Sequence, residues 1–144
     1  MLQIKQYVKV QSLEEAYELN QKKSNVIIGG MHWLKMSSRM AGTAIDLSGL
    51  GLDEIVEKDD RFEIGCMVTL RQLEQHVGLN SYSSYAVRDA VKDIVGIQFR
   101  NTATIGGSVL EDMDFQMYLL CLWQWMLMWY VIKQVKFQFK NMRR

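Results

Sequence analysis

Apolar and polar side chains alternate through residues 4–10 (IKQYVKV), which predicts a short strand. Ser12-Leu-Glu-Glu15 then has the spacing of a capping box, and Ala16, Tyr17 and Leu19 continue it as a helix. Asn25-Val-Ile-Ile28 is a β-branched run and reads as a buried strand, broken by Gly29-Gly30. Met31 to Met40 has no clear period beyond a helical turn. Ala44-Ile-Asp-Leu47 predicts another strand, and Gly49 to Asp53 a loop. Ile55-Val56 and Phe62-Glu-Ile64 flank the polar turn 57–60 and predict a hairpin. The Thr69 hydroxyl is placed to cap a helix from Leu70 to His76. A further helix is predicted from about Ser84 to Val95, with Ala86, Ala90, Val91 and Ile94 on one face and Gly96 ending it. Asn101 to Gly107 reads as a loop of small residues. Strands and helices mixed in this order predict an α+β or α/β domain.

The average composition changes this picture little. The 144 residues are 49% hydrophobic and 23% charged, with a formal net charge of +1, and nothing in the balance points to nucleic acid. Cys66 and Cys121 fit neither a metal nor a disulfide pattern, so a reducing compartment is expected, and MLQIKQYVKV lacks the apolar core of a signal peptide.

The distribution of residues changes it more. All 16 acidic residues lie at or before Asp114. Residues 115–144 carry no acid and five bases, Lys133, Lys136, Lys140, Arg143 and Arg144, and three of the four tryptophans (Trp123, Trp125, Trp129) fall within seven residues. A boundary is therefore expected near Leu110, giving segments 1–109 and 110–144.

Candidate chemistry sits on two loops, Ile28-Gly29-Gly30-Met31-His32 and Thr102 to Ser108, which contains Thr104-Ile105-Gly106-Gly107. A glycine lets its amide approach a phosphate oxygen closely, and consecutive amides form an anion-holding concavity. A lone Gly-Gly is usually only a tight turn. Neither loop matches G-x-G-x-x-G or the Walker pattern, so residues alone stop at possible anion loops. His76 reads as a helix-end residue, Asp59 and Asp60 as turn residues, and Cys66 as a small core residue. No nucleophile triad or metal-ligand set is visible.

Four segments carry a resemblance. Val26-Ile-Ile-Gly-Gly-Met-His-Trp-Leu34 is similar to a GG-T-D-L phosphate loop. Ala44-Ile-Asp-Leu-Ser-Gly-Leu50 resembles an IDLS-L strand, and Phe62 to Leu70 (FEIGCMVTL) resembles IGA-VT. Gln98 to Gly107 (QFRNTATIGG) is close to IRN-ATIGG. In this order they resemble the FAD-binding domain of molybdopterin dehydrogenases, of the xanthine dehydrogenase and carbon monoxide dehydrogenase type. The resemblance implies an α+β class, the N-terminal portion of the vanillyl-alcohol oxidase / p-cresol methylhydroxylase type of fold. It implies FAD as cofactor. Ile28, Gly29, Gly30, Met31 and His32 would lie on one side of its pyrophosphate, and Thr104, Ile105, Gly106 and Gly107 on the other. His32 and Met31 stand where the family often has Thr and Asp. Arg100 and Asn101 are expected to shape the second loop rather than touch cofactor. A molybdopterin-binding large subunit and an iron–sulfur small subunit are the implied partners, and a cytoplasmic location is expected.

After Val109 the family pattern fails. Leu110 to Met117 can be encoded so that one inserted T yields FGRYGFSD, and the same shift over Leu122 to Tyr130 can yield MAMDAYVV; both look like the family. The tail is thus expected to be out of frame, leaving a shortened domain that binds FAD weakly or not at all by itself. Two other readings stay open. One is a non-functional fragment of a disrupted gene. The other is a small membrane-associated module without flavin, since Met117 to Ile132 is apolar, Trp-rich and followed by bases, though its 16 residues fall short of the roughly 20 that span a bilayer.

Overall fold

A computed structural model describes residues 1–110. The predicted apolar segment Met117–Ile132 and the stretch expected to be out of frame lie outside them.

Two units share the chain. The first is a parallel three-stranded sheet of β1 (Gln3–Lys9), β2 (Val26–Ile28) and β3 (Met40–Asp46), in the order β1-β3-β2. β3 takes the central place because its side chains are small or apolar enough to be covered on both faces: Ala41, Thr43, Ala44 and Ile45 are all buried. Its register sets Ala44 opposite both Tyr7 and Val26. Helix α1 (Leu13–Asn20) packs Ala16 into a core with Val10, Ile45 and Leu47. Ser12 caps it by accepting from the Glu15 amide at 3.1 Å. Glu15 closes the motif one residue earlier than the standard box, accepting from the amide of Gln11 at 2.8 Å. Buried Asn25 ties the helix end to the sheet, donating to the Leu19 carbonyl at 2.8 Å and accepting from the Thr43 amide at 3.1 Å.

The second unit holds the hairpin of β4 (Ile55–Glu57) and β5 (Phe62–Ile64) and a group of short helices, α2 (Leu70–Gln75), α3 (Val77–Tyr82), α4 (Ala86–Val91), α5 (Ile97–Arg100) and α6 (Ile105–Leu110). Its core is Val68, Leu70, Leu73, Leu79, Val87, Val91, Ala103 and Ile105. Thr69 and Gln72 form a full capping box at the start of α2.

Four expectations need correction. The helix predicted over Ser84–Val95 is confined to α4, and α3 precedes it. Ser84 and Tyr85, both at positive φ (50° and 64°), make the turn between them. The polar, small-residue stretch Gly78-Leu-Asn-Ser81 hid α3, which forms because the His76 imidazole caps it, Nδ1 accepting from the Leu79 amide at 3.0 Å. His76 therefore starts one helix as much as it ends another. Gly96 is extended (φ −157°), and the left-handed residue after α4 is Val95 at φ 49°. Cys66 is exposed, and its carbonyl rather than its side chain is tied inward. The small-residue loop stops at Thr104, and Ile105, Gly106 and Gly107 already belong to the first turn of α6.

Candidate functional site

The two glycine segments meet. Gly29 and Gly30 leave the C-terminal end of β2 and run against Thr102–Thr104, which link α5 to α6. A Cβ on Gly30 would sit 2.0 Å from the Thr102 carbonyl oxygen, and one on Gly29 would sit 2.8 Å from the Thr104 hydroxyl. Backbone approach this close needs glycine. Met31 follows at φ 57°. His32 then crosses to the second segment, its Nε2 2.7 Å from Thr102 Oγ1 and its ring 4.0 Å from that of Phe99. Burial, and after it the charge of Lys35, hold the His32 imidazole below its usual pKa of 6.5.

The two segments border one cleft of about 410 Å³ at the seam between the units. Its walls are Gly29, Gly30, Met31, Leu47 and Ser48 from the sheet side, and Leu52, Asp53, Met67, Thr69, Gln72, Asn101, Thr102 and Thr104 from the helical side. The C-terminal ends of parallel strands open here, where the topology of such sheets leaves a crevice. No lysine or arginine is among these residues. An anion in the cleft would be held by neutral donors, main-chain amides and the side chains of residues such as Ser48, Asn101 and Thr102. Among the described residues, the amides of Gly29, Gly30, Met31 and His32 reach no main-chain acceptor, and neither does that of Thr104. Consecutive amides left open in this way can hold an anion, and of these residues Gly29, Gly30, Met31 and Thr104 border the cleft.

The other second-loop residues differ. The Ile105 amide donates to the Val68 carbonyl at 2.9 Å, Gly106 to Cys66 at 2.8 Å, and Gly107 to Thr104 Oγ1 at 3.2 Å. Gly106 is needed for packing, since a Cβ there would lie 2.8 Å from the Cys66 carbonyl oxygen. Ile28 ends β2, paired with Asp46, and does not border the cleft.

Arg100 shapes the second segment from beneath. It is buried, donates to Glu74 Oε2 at 2.8 Å and to the Ile94 carbonyl at 3.0 Å, and so pins α5 to α2. Burial raises the Glu74 carboxyl pKa, but hydrogen bonds from Arg100 and Arg71 outweigh it and leave the group below 4.5. Asn101 borders the cleft, exposed.

Sequence reasoning singled out neither Gly65 nor the walls at Leu47–Ser48 and Thr69–Gln72. Gly65 is another close approach, its would-be Cβ 2.0 Å from the Leu52 carbonyl oxygen. Gln72 donates to the Asp53 carbonyl at 2.8 Å and so fixes that wall. The quoted likenesses at 44–50 and 62–70 cover most of these residues, so their signal lay in the motifs rather than in any spacing.

The model of the family described as FAD binding domain in molybdopterin dehydrogenase matches residues 2–123. The chain belongs to this family. FAD is the cofactor its domains bind. The matched span runs past residue 109 into the compositionally distinct tail. Three solved structures share the fold. Quinoline 2-oxidoreductase from Pseudomonas putida 86 is 22% identical with a TM-score of 0.64, the match covering 72% of this chain and 38% of that one. Carbon monoxide dehydrogenase from Hydrogenophaga pseudoflava, in a form lacking the Mo-pyranopterin moiety, is 26% identical at TM-score 0.65, with the same coverage. A cyanide-inactivated Cu,Mo-CO dehydrogenase is 23% identical at 0.65, covering 74% and 40%. The chain thus spans about two-fifths of the length of the solved chains it matches. No curated protein matches. Among the described residues, no helix is long and apolar enough to cross a membrane.

Proposed function

We propose that the FAD diphosphate lies in the cleft between the two glycine segments, along the amides of Gly29, Gly30, Met31 and His32 and against that of Thr104. Ile28, Ile105, Gly106 and Gly107 then serve by holding those amides in place. The observation that carries this reading is the run of four consecutive amides without main-chain acceptors among the described residues, on a segment whose glycines press against Thr102–Thr104. Consecutive amides of this kind stabilise an anion without a cationic side chain, which suits a cleft that has none. Bound FAD supplies reversible electron acceptance, which no side chain here offers.

On the strength of the family we extend the proposal to the whole protein. The whole protein is an electron-transfer component of a molybdenum hydroxylase of the xanthine dehydrogenase type. It works with a molybdopterin-binding large subunit and an iron–sulfur small subunit in the cytoplasm. Residues 1–109 supply the pyrophosphate side of the flavin site, and 110–144 form the atypical tail that an out-of-frame reading explains.

Titration of the ¹⁵N-labelled chain with FAD tests the site. The amide signals of Gly29, Gly30, Met31 and Thr104 are expected to move together, with micromolar or weaker affinity. The reading fails if these signals stay fixed at millimolar FAD.

A further inference from the structure

We propose that His32 is the positioning residue that fixes the first glycine segment against the second, and thereby sets the spacing of the amides that face the diphosphate. The consequence for the diphosphate rests on the reading above; the tie itself does not.

The first segment has little else to hold it. The amides of residues 29–32 donate to no main-chain group among the described residues, and the only main-chain bond in this stretch is the Lys35 amide to the Met31 carbonyl at 3.1 Å. Gly29 and Gly30 lie close against Thr104 and Thr102, but van der Waals contact alone does not prevent sliding. His32 adds two directional contacts. Its Nε2 is 2.7 Å from Thr102 Oγ1, and its ring lies over Phe99 at 4.0 Å with the planes 34° apart. Phe99 and Thr102 lie at the end of α5 and just beyond it, so one imidazole grips the segment that leads into Thr104.

The tie is proposed to run from the ring to the hydroxyl. The Thr102 hydroxyl lies 3.3 Å from the Phe99 carbonyl and 3.4 Å from that of Gln98, either of which can take its single hydrogen. With the hydrogen so placed, a hydroxyl lone pair accepts from Nε2–H of the ring, 2.7 Å away. In a neutral ring, which burial and Lys35 favour against a hydrogen bond to the Phe99 backbone, Nδ1 then carries no hydrogen. The positive φ of Met31 turns the chain back so that the next side chain points at the second segment.

The test uses the full chain in two parts. The first needs no ligand: long-range ¹H–¹⁵N spectra of the His32 ring are expected to give the Nε2–H tautomer, and Thr102→Val is expected to return the ring to a mixed tautomer. An Nδ1–H ring, or a ring unchanged by Thr102→Val, overturns the tie. The second part measures FAD dissociation constants from amide shifts. His32→Leu and Thr102→Val are each expected to weaken binding about tenfold. The double variant should be weakened about tenfold and not a hundredfold, because the two changes remove one interaction. His32→Gln, which keeps an N–H donor, is expected to recover most of the loss. Wild-type affinity in His32→Leu, or penalties that multiply, would refute the positioning role. If the wild-type loop amides ignore FAD altogether, the flavin assignment fails, while the ring spectra still decide the tie.

Discussion

The two diglycines look alike in sequence and do different work. Gly29-Gly30 sits where a strand has ended, and among the described residues its amides have no main-chain partner. Gly106-Gly107 sits inside the first turn of a helix, and its amides are taken up by Cys66 and the Thr104 hydroxyl. The first pair leaves the amides that we propose bind the ligand; the second lets the helix pack against the Cys66 carbonyl. A glycine pair therefore signals close approach in both cases, but only the hydrogen-bond inventory tells whether the approach is to a ligand or to the protein itself.

Four substitutions sharpen this contrast, and all can be read from denaturant unfolding of the full chain. The largest effect is expected beneath the second segment. Glu74→Gln leaves buried Arg100 without its counter-charge and should cost about 3 kcal/mol at neutral pH. Because Glu74 titrates lower in the folded chain than its usual 4.5, its contribution is present above that value and is lost as pH falls through the lower, folded pKa. The gap between wild type and variant should therefore close in acid; a gap constant down to the acid transition would show that the ion pair does not matter. Gly30→Ala comes next, at about 2–3 kcal/mol, since its methyl meets rigid backbone at 2.0 Å. Gly106→Ala meets the Cys66 carbonyl at the longer distance of 2.8 Å and should cost about 1–2 kcal/mol while leaving FAD-induced shifts at Gly29–Met31 in place. If Gly106→Ala abolished those shifts and Gly30→Ala did not, the two roles would have been assigned the wrong way round. The smallest effect is a gain. Val95→Gly should stabilise by about 1 kcal/mol, because a β-branched residue at φ 49° is strained and glycine is not. A loss at that position would mean the Val95 side chain matters more than its backbone.

Much of the local structure could be read directly. Ser12 and Thr69 cap the helices their spacing announces, and the turn at 57–60 joins the expected hairpin. Local signals suffice there because a cap or a tight turn involves residues three or four apart. Where the reading failed, the deciding partner was elsewhere. Helix α3 depends on His76 for its cap and on burial of Leu79 in the second core, and its own polar composition concealed it. The left-handed turn fell on Val95 rather than Gly96 because α5 starts at Ile97 and uses Gly96 as its extended entry.

The site divides in the same way. Sequence by itself determined which residues can come close: glycines at 29, 30 and 106 and the motifs around them, enough to identify the family through resemblance. It also placed Arg100 in a shaping role. It did not determine that Gly30 lies on the Thr102 carbonyl, that His32 reaches across to Thr102, or that Ile105 and Gly106 spend their amides on Val68 and Cys66. Those pairings join residues 37 to 72 positions apart, and no periodicity or spacing encodes such distances. They arise when two separately packed cores close on each other, and only that closure decides which amides are left for a ligand.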